Sequence, residues 1–180
     1  MCSSDLRPGA GEWARSVRAV HIRLVEHRDA EAIRAIYNLE VTESSVTFDL
    51  VPRSLAEQQA WIDEHSGGHP AIVAETDDTV IGFAALTPYR PRPAYATTVE
   101  DSVYVHRAHR GTGVGHLLLD DLVRRAADHG FHAVIARIVG GHEASIALHA
   151  SCGFTEIGRE HEVGRKFGRW LDVVLMQRML

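Results

Sequence analysis

Six consecutive residues, Arg110, Gly111, Thr112, Gly113, Val114 and Gly115, have the composition of an anion-binding turn. Glycines let the backbone approach a ligand closely, and a helix starting just after them offers unpaired N–H groups and the positive end of its dipole. The chemistry such a turn performs is the cradling of a pyrophosphate. Two other glycine-rich phosphate binders do not fit the spacing. A dinucleotide fingerprint needs a third glycine where His116 stands, and a nucleoside-triphosphate loop needs Gly-Lys followed by Ser or Thr. Dinucleotide hydride transfer and NTP hydrolysis are therefore set aside, and a glycine turn without a ligand is the plain alternative.

A second chemical feature is the loop Arg90, Pro91, Arg92, Pro93. Prolines restrict the backbone, and a guanidinium makes paired, charge-assisted hydrogen bonds to a carboxylate. A solvated basic loop is the ordinary alternative. The twelve histidines raise the question of a metal, but no HExxH occurs, and Gly67 and Gly68 break the helix that would align His65 with His69. No metal is expected.

The elements that position these groups follow from patterning. Ile22 and Leu24 mark a short strand, and Ala30, Ile33, Ile36 and Tyr37 a helix that Asp29 is placed to cap. Ser54 to His65 reads as a second helix. Pro70 to Thr76 and Val80 to Leu86 read as a hairpin about the turn Asp77, Asp78. Thr97 to His106 alternates as a central strand, and residues 114 to 129 carry Val114, Leu118, Leu122 and Ala126 on one helical face. Phe131 to Val139 is a buried strand and Glu143 to Cys152 a helix, followed by strands around Thr155 to Val163 and Trp170 to Met179. Strand, glycine turn and helix thus stand in the order a phosphate cradle requires, within an α/β mixed sheet covered by helices.

With 180 residues and 45% hydrophobic content, the chain is long enough for one domain with a sizeable core. A net charge of −5 supplies no global basic field, so neither nucleic acid nor an anionic membrane surface is an expected partner. Cys2 and Cys152 lack CxxC partners and suit a reducing cytoplasm. Residues 1–20 hold Pro8, Gly9 and Gly11 without the apolar run of a secretion signal and read as a flexible leader to a domain over 21–180. No stretch approaches the ~18 apolar residues of a membrane helix.

From about His21 to Leu180 the chain resembles the phosphinothricin and methionine sulfoximine acetyltransferase branch of the GNAT N-acyltransferase superfamily. The resemblance is carried by Arg110, Gly113 and Gly115; by Ile36, Tyr37, Asn38; Thr47, Phe48, Asp49; and Arg90 to Tyr95. It continues through Thr98, Val99, Glu100; Val103, Tyr104, Val105; Leu148, His149 with Gly153, Phe154; and the tail Gly164 to Asp172. It implies a mixed, mostly antiparallel sheet of about seven strands with about four flanking helices and splayed central strands.

The resemblance further implies acetyl-CoA as co-substrate, held by Arg110, Gly111, Thr112, Gly113, Val114 and Gly115, with its pantetheine arm paired to the backbone of Val103, Tyr104 and Val105. An N–H near Val105 would face the thioester oxygen. His142 stands where the family usually has asparagine, and Ser145 and Ser151 are lesser contacts. Glu100 resembles the family's catalytic glutamate, either receiving a proton from the amine or attracting its ammonium, with a surface ion pair as the bland alternative. His149 stands near the departing sulfur, where a thiolate of pKa about 8.5 needs little protonation, so orientation, proton relay or simple helix packing are all open to it. Arg90, Pro91, Arg92, Asp101, Ser102, Phe48, Tyr37 and Lys166 are assigned to the acceptor side, the tail with Arg169 and Trp170 being built across a homodimer interface in family enzymes. The expected activity is N-acetylation of a small amino acid or analogue by direct amine attack. Alternatives are another amine, such as a protein N-terminus or a polyamine, and a non-catalytic acetyl-CoA sensor.

Overall fold

The computed structural model of the chain describes residues 19–180; Cys2 and all but the last two residues of the expected leader lie outside them. Its elements are β1 (His21–Leu24), α1 (Ala30–Glu43), α2 (Leu55–Glu64), β2 (Ala71–Thr76), β3 (Thr79–Pro88), β4 (Thr98–Val105), α3 (Val114–Asp128), β5 (Ala133–Val139), α4 (Glu143–Ser151), β6 (Thr155–Lys166) and β7 (Arg169–Met179). The strands form one mixed sheet in the order β1-β2-β3-β4-β5-β7-β6, antiparallel at every join except the parallel β4–β5 pair.

Alternation along the strands sends side chains to two cores, one per face. On one face Ile33, Ile36, Tyr37 and Val41 of α1 pack on Val73 and Phe83, with Trp61 of α2 beside them. On the other, Leu118, Leu119 and Leu122 of α3 pack on Ala84, Leu86, Val99 and Val134. Those three leucines are fully buried, each contributing roughly 1.5–3 kcal/mol of apolar burial.

Local chemistry sets the boundaries. Ser54 caps α2 in a reciprocal box: its Oγ accepts from the Glu57 N–H at 3.2 Å, and the Ser54 N–H donates to Glu57 Oε2 at 2.7 Å. Asp77 and Asp78 both take positive φ, 48° and 58°, the mirror-image turn that matches strand twist in a two-residue hairpin. Asp29 does not cap α1 as expected. Its carboxylate turns backward to accept the Glu26 N–H at 2.8 Å and two Arg23 donors at 2.7 and 2.8 Å, closing a short 3₁₀ turn instead. β6 runs three residues beyond Val163, because the tail pairs with β7 through Lys166↔Arg169.

One break in the sheet creates the site. β4 and β5 pair only through Thr98↔Ala133, Val99↔Val134 and Glu100↔Ile135. Past Glu100, β4 stays with β3 as far as Gly82↔Val105, while β5 stays with β7 as far as Val139↔Val173. The strands splay, and a cleft opens between them.

Candidate active site

The cleft holds a cavity of about 240 Å³, walled by the diverging ends of β4 and β5, the loop around Thr47 and Phe48, and the start of α4. Because side chains alternate, β4 contributes to both of its sides. Tyr104 stacks with Phe83 at 5.1 Å and meets Tyr37 of α1 edge-on at 5.1 Å, so Glu100 and Ser102, of the same parity, face the α1 side. Asp101 reaches His149 of α4, and Val103 and Val105 pack on the core beneath α3.

The backbone of β4 alternates too. The His106 N–H donates to Ile81 O at 2.9 Å, so even-numbered residues bond toward β3. Val103 and Val105 therefore aim their peptide groups at the side β5 has left. An extended ligand arm finds a strand edge there.

Beyond Val105 the chain enters the glycine turn. Gly111 and Gly113 have φ of 74° and 90°, left-handed values that L side chains resist. Among the described residues the N–H groups of Gly111 to His116 have no acceptor, and the first helical bond of α3 runs from Leu117 N to Gly113 O at 3.1 Å. A Cβ on Gly113 would meet nothing within 4 Å, so the ground before these amides is open. Open amides at a helix start fit a phosphate group.

Arg110 is not a free cation above this turn. Its Nη2 donates to Glu40 Oε1 at 2.8 Å and its Nε to Val105 O at 3.1 Å, while Arg107 Nε reaches the same Glu40 oxygen at 2.9 Å. Burial alone would raise the Glu40 carboxyl, but its hydrogen bonding and the charges of the two arginines hold it below the usual range. Arg110 thus fastens the start of the turn to β4 and α1.

His149 is 4% exposed. Its Nδ1 lies 2.7 Å from Ser145 O and its Nε2 3.0 Å from Asp101 Oδ2. A carbonyl and a carboxylate only accept, so this setting favours a ring with a proton on both nitrogens, the imidazolium. Burial opposes that charge, yet the hydrogen bond and charge of Asp101 prevail and raise the histidine above its ordinary value. The folded pKa thus exceeds the unfolded value of about 6.5, so the pair's stabilisation is complete below that value and lost as pH rises through the folded one. His149→Gln leaves a buried carboxylate alone and is expected to cost roughly 3–5 kcal/mol at about pH 5.5, with a smaller penalty at about pH 9. Thermal unfolding of both proteins across that range reads it; a pH-independent penalty refutes the pairing.

Glu100 is lifted above the usual carboxylate range, chiefly by burial, with Arg137 opposing and Asp101 and Glu160 reinforcing the shift. His142 lines the cavity at the start of α4 without capping it, and burial and Arg110 hold its pKa down, so the ring is neutral near pH 7. Ser145 lines the cavity as well.

Other expected site residues lie elsewhere. Ser151 Oγ donates to Leu148 O at 2.7 Å and lies 3.2 Å from His116 Nδ1, at the end of α4 beside the start of α3. Tyr37 is buried, its hydroxyl bonded to Thr47 at 2.9 Å and Asp49 at 2.6 Å, so it supports the Thr47–Asp49 loop and does not line the cavity. Lys166 is buried behind the same loop, donating to Thr47 O at 2.8 Å, and burial lowers its pKa. Phe48 does line the cavity, lying so close over Gly164 that a Cβ there would meet its ring at 2.3 Å. Arg90, Pro91 and Arg92 border a separate depression with Tyr95, although the charge of Arg90 still acts on Glu100 and Glu160.

Two site residues went unread in the sequence. Glu40 falls on the apolar stripe of α1 with Ile36, Tyr37 and Val41, and a carboxylate there signals a buried ion pair. Arg137 interrupts the apolar run of β5, where a lone charge signals a cavity or a partner.

A strand edge and a free helix start on one side of a split sheet, with a carboxylate on the other, suit a transferase that holds a phosphate-bearing donor against an acceptor. The chain belongs to the acetyltransferase (GNAT) family, whose model matches residues 31–154. It is 43% identical over 164 residues to phosphinothricin N-acetyltransferase of Alcaligenes faecalis, covering 90% of this chain and 83% of that one. It is 42% identical over 151 residues to the L-methionine sulfoximine/L-methionine sulfone acetyltransferase of Pseudomonas paraeruginosa, covering 83% and 88% respectively. A phosphinothricin acetyltransferase from Sinorhizobium meliloti, solved with acetyl-CoA, superposes with a TM-score of 0.86 at 39% identity over 89% of this chain and 88% of that one. Among the described residues no helix is long and apolar enough to cross a membrane, and no cluster of three or more His, Cys, Asp or Glu is arranged to hold a metal.

Proposed function

We propose that this N-acetyltransferase moves acetyl from acetyl-CoA to the α-amino group of a small amino acid or analogue such as methionine sulfoximine, methionine sulfone or phosphinothricin. The observation that carries this reading is the splay past Glu100, which exposes the Val103 peptide groups and the Val105 N–H on the way to the open amides of Gly111 to His116. Those amides would hold the pyrophosphate and the β4 edge the pantetheine arm, with His142 and Ser145 beside it. Bound there, acetyl-CoA supplies an activated acyl carbon.

Glu100 enters from the opposite face of the sheet. Its raised pKa narrows the mismatch with an ammonium, so it attracts the amine and takes up the proton released as nitrogen attacks. The Val105 N–H is directed at the developing oxyanion. His149 has both nitrogens engaged, and its part is to keep positive charge near the leaving thiolate. Ser102 and Phe48 wall the acceptor. Cys152, buried with its thiol pKa raised by burial and absent from the cavity wall, offers no acyl relay. A cytoplasmic homodimer completes the proposal: exposed Phe167 and Trp170 at the β6–β7 end are suited to a subunit contact, which would bring the Arg90 to Arg92 loop to a neighbour's acceptor.

Coenzyme A release by the purified chain with acetyl-CoA and a panel of methionine sulfoximine, methionine sulfone, phosphinothricin, spermidine and a short peptide tests the reading. Turnover concentrated on the amino acids supports it. Turnover on spermidine or peptide alone reassigns the acceptor, and acetyl-CoA binding without turnover makes the protein a sensor.

A further inference from the structure

Within the cavity, acceptor specificity has a further candidate. Resting on the acceptor class just proposed, we infer that Arg137 reads an anionic group of the acceptor, making its cleft selective for free amino acids over peptide N-termini and polyamines. Arg137 is the sole lysine or arginine among the described residues that line the cavity. Strand register puts it on the acceptor side. Glu100 is the parallel partner of Ile135, and Arg137, two residues further along β5, projects from the same sheet face. Strand spacings place the two α-carbons on the order of 8 Å apart at the mouth of the splay. Two long side chains of opposite charge there bracket a group the size of an α-amino acid, the ammonium at Glu100 and an anion at Arg137.

The guanidinium is held but not saturated. Its Nη2 donates to Glu160 Oε2 of β6 at 2.6 Å, its only hydrogen bond among the described residues, and the two side chains are 33% and 30% exposed. A guanidinium carries five N–H donors in a rigid fork. Glu160 fixes the direction of the fork and leaves donors for an incoming oxyanion. A spermidine nitrogen would meet a cation here. A peptide N-terminus would bring an amide where a free amino acid brings a carboxylate.

The anion has two possible sources, the α-carboxylate and an acidic side-chain oxygen. Three acceptors separate them: methionine sulfone, with the carboxylate alone; its amide, with no anion; and phosphinothricin, with both. For Arg137→Gln, the KM for methionine sulfone is expected to rise tenfold or more, that for acetyl-CoA to stay within twofold, and the wild-type preference for the acid over the amide to collapse. Arg137→Lys should recover part of that preference, since charge survives without the fork. A loss confined to phosphinothricin assigns the reading to the side-chain oxygens. Equal losses on sulfone and amide, or none on any acceptor, overturn the inference. Calorimetric binding of the same ligands to the protein loaded with coenzyme A separates this failure from that of the proposed function. Arg137-dependent binding of the sulfone without turnover keeps the subsite and discards the reaction, and turnover indifferent to Arg137 does the reverse.

Discussion

Replacing Glu100 by glutamine is expected to lower kcat by roughly 10²–10⁴-fold while leaving the KM for acetyl-CoA within about twofold. Glutamine keeps the shape and hydrogen-bonding reach of glutamate but neither attracts an ammonium nor takes its proton. Glu100 faces the α1 side of the splay, away from the open amides of the glycine turn, so cofactor binding has no reason to follow it. The pH profile supplies a second reading. Burial raises the Glu100 pKa, so the wild-type rate climbs with pH through a value above the ordinary carboxylate range, and that limb is absent from the variant. Steady-state kinetics of both proteins from about pH 5 to 9 measures it. Equal kcat values at every pH remove Glu100 from the reaction.

Gly113→Val is expected to weaken coenzyme A binding by about a hundredfold or more, roughly 2.7 kcal/mol. Two effects combine. At φ of 90° a β-branched residue carries roughly 1–3 kcal/mol of backbone strain, and its methyls occupy the open ground before the amides of α3. A matched control separates them. Gly130, at the far end of α3, has φ of 81° and equal room for a Cβ, so Gly130→Val is strained in the same way without approaching the cradle. Calorimetry should find near-normal affinity in Gly130→Val and little or none in folded Gly113→Val. Equal affinities would mean that the turn binds no phosphate.

Much of this fold was legible because its signals are local. The Ser54 to Glu57 capping box, the paired aspartates of the β2–β3 hairpin and the leucine face of α3 each declare their element within a few residues. Order along the chain then put a glycine turn between β4 and α3, where the structure has it. What stayed hidden depends on partners distant in sequence. The ion pair of Arg110 with Glu40 could not be read, because Glu40 lies seventy positions earlier and becomes its counterion only once α1 lies across the sheet. Tyr37 and Lys166 have polar tips that suit a pocket, yet both serve the Thr47–Asp49 loop from behind. Asp29 carried a capping signal that a stronger local partner, Arg23, diverted. No short-range rule ranks such competitors, since the outcome turns on which charges the assembled fold brings within reach of an oxygen.

The sheet joins its halves through three residue pairs at the top of the split, and the cavity below them is lined from both of its faces. In the proposed reaction such a gap would admit donor and acceptor from opposite sides, so that neither would block the other. The nitrogen and the carbon would then be strangers until they met in the thickness of a single strand.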